Sequence, residues 1–205
     1  MAPVRKTIRK KTEEDPSGTH FLTSPKKPFI LLHVCCGPCS THVIELLRDT
    51  YHPIGLFYNP NLHPKDEYFR RLEAAARVSK QHRIALWVPP FDQETWLDRV
   101  RGLEDEPEGG RRCNICIRHR LEVTAWMAKA ASLTVFATTL TISPRKNSRK
   151  INELGSDLSK LYDIAFLEAD FKKKDGFLKS VQRSKDLGLY RQDYCGCCFS
   201  IRRPS

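Results

Sequence analysis

The stretch that most constrains the fold is LLHVCCGPCS, residues 31–40. Its apolar first half is typical of a buried strand and stops abruptly at Cys35 and Cys36, with Cys39 three residues later. The glycine and the proline between these thiols suit a tight turn and the first turn of a helix. The stretch therefore predicts a strand, a turn and a helix with three thiols at the turn, where open α/β sheets bind ligands.

The rest of the chain repeats this alternation of strand and helix. Short apolar runs predict five strands, at residues 29–34, 53–58, 84–88, 133–138 and 164–169. Helical periodicity follows each of them: from Cys39 onward, then over residues 65–81, 93–102, 113–131, 151–162 and 177–188. We expect an α/β fold, a parallel sheet with helices on both of its faces.

The composition of the chain indicates where the folded domain begins and in which cellular compartment we expect the protein. Residues 1–28 are rich in charge and poor in apolar side chains, which predicts a basic, disordered extension before a single domain over residues 29–205. No apolar run reaches the roughly 18 residues that a membrane helix needs, and the basic N-terminus lacks the apolar core of a secretory signal. We therefore expect a cytoplasmic protein without membrane contact.

The positive charge lies mostly at the two ends of the sequence. The chain carries a net charge of +11, of which residues 1–28 contribute +4, residues 29–142 contribute +1 and residues 143–205 contribute +6. Within the last segment the basic runs are SPRKNSRK, FKKKDG and IRR, and phenylalanine and tyrosine residues are interspersed with them. Cations that neutralise phosphates beside aromatic rings that stack bases indicate an RNA partner, although each run alone is typical of a solvated surface.

The eight cysteines fall into three tight groups, which is not the distribution of inert core thiols. A structural disulfide framework is untypical of a cytosolic chain, so metal, iron–sulfur or redox chemistry remains. A CxxC motif at Cys113 and Cys116 is weak by itself, but Cys35 and Cys36 add two more thiolates. Together the four predict a tetrahedral zinc site or an iron–sulfur cluster, of which the cluster is favoured because adjacent cysteines are unusual in structural zinc sites.

The remaining cysteines leave several alternatives open. Cys195 and Cys197, separated by one glycine, are suited to cycle between a dithiol and a disulfide, or else to bind a second metal. Cys39 is a candidate for a second metal, for the redox relay or for packing. Cys198 has no obvious partner, and His33 is interpreted as a histidine packed within its strand rather than a ligand.

Two nucleotide-binding signatures are missing after the first strand. The sequence CCGPCS has neither the spacing of a dinucleotide-binding GxGxxG nor the lysine of a Walker A motif. On a scaffold similar to that of the ATP-dependent tRNA thiolases, thiols would therefore replace the phosphate-binding turn. A nucleotide-dependent thiolating enzyme is accordingly disfavoured.

Residues 29–200 resemble the cobalamin-independent epoxyqueuosine reductases, the QueH family. The resemblance rests on five blocks in the same order and spacing: LLHVCCGPCS, FYNPNLHPKDEY, GLEDEPEGGRRCNICIRHRLE, TTLTISPRKN and GLYRQDYCGCCFS. It implies a Rossmann-like core of the adenine-nucleotide-hydrolase type. It also implies the last step of queuosine biosynthesis, a two-electron reduction of an epoxide to an alkene at the wobble base of the tRNAs for Asp, Asn, His and Tyr.

The resemblance also implies roles for individual cysteines. Cys35, Cys36, Cys113 and Cys116 match positions proposed to hold a 4Fe–4S cluster, and Cys195 and Cys197 match a redox-active disulfide. Some members carry an acidic residue in place of Cys39, beside an additional iron, so Cys39 becomes a candidate ligand for such an iron. The electron donor is not identified by the sequence. The alternative is a zinc protein that binds tRNA without redox activity.

Overall fold

The computed structural model describes residues 27–201. The extension predicted over residues 1–28 lies outside this range except for its last two residues, and so do Arg202 and Arg203 of the final basic run. Within the described range, no helix is long and apolar enough to cross a membrane.

Within residues 27–201, five parallel strands form one sheet, as the sequence predicts. The strands are β1 (Phe29–His33), β2 (His52–Leu56), β3 (Leu86–Trp87), β4 (Val135–Thr138) and β5 (Ala165–Phe166). Their order across the sheet is β3-β2-β1-β4-β5, and each neighbouring pair is parallel. The strand order reverses between β1 and β4, so the loops after these two strands flank the crevice in which such sheets bind ligands.

In the part of the chain that the structure describes, six α-helices cover both faces of the sheet. They are α1 (Gly37–Leu47), α2 (Lys65–Gln81), α3 (Gln93–Val100), α4 (Arg111–Ala130), α5 (Ser148–Tyr162) and α6 (Gly176–Asp186). On β1, Ile30 and Leu32 pack into one core with residues of α1 and α2, whereas Leu31 packs into a second core with residues of α4 and α5. This alternation along a buried strand confirms the predicted two-faced α/β architecture.

The main differences from the predicted elements lie at the sheet edges and before α5. Strands β3 and β5 contain two residues each, because an edge strand has hydrogen-bonding partners on one side only. Helix α5 begins three residues earlier than predicted, since the Asn147 side chain accepts a hydrogen bond from the Lys150 amide at 3.2 Å and caps the helix. The last three residues of the basic run SPRKNSRK therefore belong to a helix.

Two glycines in helices allow close packing. A Cβ at Gly37 would lie 2.6 Å from the carbonyl carbon of Ala74, so glycine is needed there for the approach of α1 to α2 rather than for an unusual backbone angle. Gly155, which looks like a weak point of α5 in the sequence, lies directly against the ring of Phe166. Tertiary packing explains both residues.

Candidate metal and thiol site

Three thiols meet where β1 ends. The sulfurs of Cys35, Cys36 and Cys39 all lie within 4.8 Å of one another, and those of Cys35 and Cys36 are 3.9 Å apart. Cys36 caps α1, because its sulfur accepts a hydrogen bond from the Cys39 amide at 3.4 Å. Thr139, which follows β4, places its hydroxyl 3.3 Å from the Cys35 sulfur and accepts the Cys35 amide. The ends of two adjacent strands thus build the group.

The three thiols differ in their tendency to ionise. Hydrogen bonds from Cys36 and Cys39 hold the pKa of Cys35 well below its usual value, even though burial opposes ionisation. Interaction with Cys35 raises the pKa of Cys36 to about 12, and the pKa of Cys39 also lies well above its usual value. The three thiols thus stabilise one thiolate without any other group, whereas ionisation of a second thiol requires a positively charged partner.

The donor set fits a thiophilic metal. Two thiolates on one tetrahedral ion with metal–sulfur bonds of about 2.3 Å lie about 3.8 Å apart, close to the 3.9 Å between Cys35 and Cys36. A bound cation would also remove the penalty for ionising all three thiols. This part of the sequence prediction, a metal-binding cysteine cluster at the carboxyl end of β1, therefore agrees with the geometry.

Cys113 and Cys116 do not join this group of sulfurs. Both lie in the first two turns of α4, where the Cys113 sulfur accepts the Gly109 amide at 3.2 Å. Cys116 is buried and packs with Trp96 and Cys197, and burial raises its pKa. The assignment of Cys35, Cys36, Cys113 and Cys116 to one set of ligands stays a prediction.

The two cysteines of the CxC motif lie in different surroundings. Cys195 lines an open cavity, whereas Cys197 is buried beside Cys116 and Trp96, and burial raises the pKa of Cys197. Gly196 between them has φ +108°, a backbone angle that favours glycine. All eight cysteines are free thiols, so the proposed Cys195–Cys197 disulfide stays a prediction.

A buried ion pair in α2 anchors the CxC segment. Arg71 donates to the Glu67 carboxylate at 2.6 Å, and both side chains are 4% exposed. The same guanidinium donates to the carbonyl oxygens of Cys195 at 2.9 Å and Tyr194 at 3.3 Å. The Tyr190 hydroxyl donates to the second carboxylate oxygen of Glu67 at 2.7 Å. The pair is not recognisable in the sequence, because the two residues look like ordinary surface charges of a polar helix.

A cavity of about 200 Å³ joins the first and third cysteine groups. Cys35 and Cys39 line it together with Cys195, and so do the basic side chains Arg71, Arg120, Arg145, Lys146 and Arg191. A smaller adjoining cavity is lined by Cys113 and shares Glu108, Arg145 and Lys146 with the first. Thiols from all three sequence groups therefore lie around two neighbouring cavities at the carboxyl edge of the sheet.

The floor of the site is held by buried polar side chains. Arg120 is 4% exposed and donates to the Asn59 side chain at 2.6 Å, while Asn59 donates to the Val34 carbonyl at 2.9 Å. His33 contacts the Thr138 hydroxyl at 2.9 Å, and burial lowers its pKa to about 3. His33 is thus a neutral packing residue, in agreement with its interpretation from sequence. Arg120 was missed, although its position four residues after Cys116 puts it on the same helix face.

Comparison with known protein families identifies the family of this chain. The family model described as epoxyqueuosine reductase QueH matches residues 30–203. The chain belongs to the QueH family. The QueH of Streptococcus pyogenes serotype M1 is 40% identical over 182 residues, covering 86% of this chain and 71% of the relative. The QueH of Staphylococcus epidermidis is 38% identical over 196 residues, covering 87% of this chain and 78% of the relative.

A solved structure with the same fold comes from another tRNA-modifying enzyme. The chain is similar to the U34-tRNA thiolase NcsA of Methanococcus maripaludis, solved with its [4Fe-4S] cluster, at a TM-score of 0.55 and 14% sequence identity. The match covers 86% of this chain and 62% of the thiolase. At this identity the likeness concerns the fold alone, and it agrees with the Rossmann-like core expected of a QueH protein.

Proposed function

We propose that this chain reduces epoxyqueuosine to queuosine in tRNA, the last step of queuosine biosynthesis. Membership of the QueH family supports the activity. The observation that supports the site is the cavity at the carboxyl edge of the sheet, which is lined by Cys35 and Cys39 together with Cys195. A metal-binding group and a redox thiol that face one cavity can act on the same substrate. The cytoplasmic location expected from the sequence is part of this proposal.

We assign the metal as a 4Fe–4S cluster held by Cys35, Cys36, Cys113 and Cys116, with Cys39 as a ligand of an additional iron. The group of three thiols at the end of β1 supports metal binding there, and Cys113 lines the neighbouring cavity at the same edge of the sheet. The cluster found in the NcsA thiolase supports the choice of iron and sulfide over zinc. When bound, such a cluster supplies single electrons at a potential set by its surroundings.

The residues of the chain account for the rest of the reaction. Conversion of the epoxide to an alkene consumes two electrons and two protons and releases water. Oxidation of the Cys195–Cys197 dithiol to a disulfide supplies the two electrons and the two protons. Cys195 is the member of the pair that lines the cavity. The basic side chains around it favour the developing negative charge on the departing oxygen. A separate electron donor must then reduce the disulfide.

The proposal is tested with anaerobically purified protein and tRNA that carries epoxyqueuosine. We expect queuosine among the nucleosides of the digested tRNA when a chemical reductant is present. We also expect about four sulfides per chain with about four irons, or about five irons when the additional iron at Cys39 is bound. Protein loaded with zinc instead is the matched control, and it should produce no queuosine. Stoichiometric zinc without sulfide in the anaerobic preparation would contradict the cluster, and a fully loaded protein that leaves the epoxide unchanged would contradict the activity.

We assign tRNA binding to a basic rim, defined as Arg145 and Arg191, which line the cavity, Lys150, which lines the adjoining cavity, and Lys173, Lys174 and Lys179 of the loop before α6 and of α6 itself. The loop that carries Lys173 and Lys174 is joined to the cavity wall, because the Lys172 ammonium donates to the carbonyl oxygens of Thr141 and Lys146, both at 3.4 Å. Phe177, on the helix that follows this loop, lines the cavity itself and is available to stack on a base. The tRNAs for Asp, Asn, His and Tyr are the proposed substrates.

Removal of two rim charges should weaken tRNA binding without altering chemistry. For the double variant Lys173→Gln/Lys174→Gln we expect about tenfold weaker binding near physiological salt, and a slope of log affinity against log salt that is smaller by about 1.4, since each lost phosphate contact contributes about 0.7 on single-stranded RNA. Filter binding at several salt concentrations measures both values. Lys160→Gln, which removes one exposed charge from α5, is the control. Equal slopes for Lys160→Gln and the double variant would contradict the assignment of the rim.

A further inference from the structure

A lysine contacts the cavity-facing thiol of the CxC motif. The Lys146 ammonium nitrogen lies 3.5 Å from the Cys195 sulfur, and both side chains line the cavity together with Cys35 and Cys39. In the sequence, Lys146 looks like one member of a basic run that neutralises phosphates. In the folded protein it is half-buried, and its charged end faces a reacting thiol.

Hydrogen bonds to backbone carbonyls hold both of the segments that carry Lys146 and Cys195. Lys146 follows Arg145, whose guanidinium donates to the Asp193 carbonyl at 2.9 Å and so joins the loop before α5 to the CxC segment. The Lys146 carbonyl in turn accepts the Lys172 ammonium at 3.4 Å. On the other side, Arg71 holds the Cys195 carbonyl. Both partners of the Lys146–Cys195 contact are therefore fixed before substrate binds.

The surroundings of Lys146 keep its amine protonated. Burial and the nearby Arg120 guanidinium lower the pKa of this lysine, but interaction with Cys195, whose sulfur lies 3.5 Å away, and with Cys116 raises it, and the net pKa lies above the usual value. The carboxylate of Glu108 lines the same cavity. The hydroxyl of Tyr194, beside the CxC motif, already donates to the His63 carbonyl at 2.6 Å. An ammonium group is thus available where a proton is needed.

We propose that Lys146 is the proton donor of the reaction: its ammonium contacts the sulfur of Cys195 and passes a proton to the epoxide oxygen as the two carbon–oxygen bonds break. This inference rests on the proposed function. The balance is complete: two thiols are oxidised to one disulfide, the epoxide gains their two electrons and two protons, and the oxygen leaves as water. The Cys195 proton travels through Lys146, and Cys197 supplies the second proton.

Two substitutions separate proton donation from charge. Lys146→Met removes both, whereas Lys146→Arg keeps a positive charge beside Cys195 on a group that does not give up its proton at neutral pH. We expect both variants to lose about 100-fold or more of single-turnover rate, the usual size of a general-acid contribution. Alkylation of Cys195 by iodoacetamide is followed at neutral pH by peptide mass spectrometry. We expect its rate to fall about tenfold in Lys146→Met and to stay within about threefold of wild type in Lys146→Arg, because a positive charge beside the sulfur is enough to favour the reactive thiolate.

Lys160→Met is the control for the loss of one positive charge, and it should turn over at the wild-type rate. Metal content, melting temperature and tRNA affinity are measured for each variant, and Lys146→Arg alone decides if Lys146→Met does not fold. A single-turnover rate within about threefold of wild type in either Lys146 variant would overturn the inference while leaving the proposed function intact. An inactive wild-type protein would instead overturn the proposed function itself.

Discussion

A Cys36→Ser variant is expected to lose its bound metal and more than about 100-fold of its reductase activity. This loss is larger than the one usually caused by substituting a residue that only hydrogen-bonds to a metal ligand. Cys36 is fully buried, and its sulfur lies 3.9 Å from that of Cys35. A serine hydroxyl is a poor ligand for metals that prefer thiolates. Serine is, however, a favourable helix cap, so it can still accept the Cys39 amide at the start of α1. The variant should therefore fold and fail only in metal binding.

The measurement combines iron, sulfide and zinc analysis with visible absorption, circular dichroism and the epoxide-reduction assay. Cys198→Ser is the matched control, because Cys198 is half-buried beside Phe199 and lies outside the group of three sulfurs. It should keep wild-type metal content and activity. Full metal loading and unchanged turnover in Cys36→Ser would refute the assignment of Cys36 as a ligand.

An Arg71→Leu variant is expected to lose about 3–5 kcal/mol of unfolding free energy, the usual effect of removing one partner from a buried ion pair. For a domain of this size the corresponding fall in melting temperature is roughly 6–20 °C. Glu67 would keep its hydrogen bond from Tyr190 but lose its compensating charge. The carbonyl oxygens of Cys195 and Tyr194 would lose their donor, so we also expect the CxC segment to be cleaved faster by protease.

Arg149→Leu is the matched control for this variant. Arg149 and Glu153 form a pair with the same helical spacing, but their side chains are 89% and 60% exposed, so the change in free energy should stay within about 0.5 kcal/mol. Denaturant unfolding compares the two variants. If Arg71→Leu is no less stable than Arg149→Leu, then the anchor described for the CxC segment is wrong.

The arrangement of the sheet and the first thiol group could be predicted because both depend on local pattern. The apolar run before Cys35 and the alternation of strands and helices require a parallel sheet, and the predicted two-faced α/β fold is confirmed. A parallel sheet brings the carboxyl ends of its strands to one edge. Cys35, Cys36 and Cys39 follow a single strand and meet across one tight turn, so their closeness to one another could be predicted locally, whereas Thr139 reaches them from the neighbouring strand.

The partners of these thiols depended on tertiary contacts. Arg71 meets the Cys195 carbonyl across 124 positions of sequence, and Thr139 meets Cys35 across 104. No local periodicity distinguishes such side chains from the many charged and polar residues that face solvent. Lys146 belongs to a basic run in the sequence, and only the folding of the CxC segment against the loop before α5 brings it to Cys195. The sequence by itself determined the sheet and the thiols at its edge, whereas the tertiary structure decided which charges surround them, because long-range packing alone selects the few polar groups that become buried.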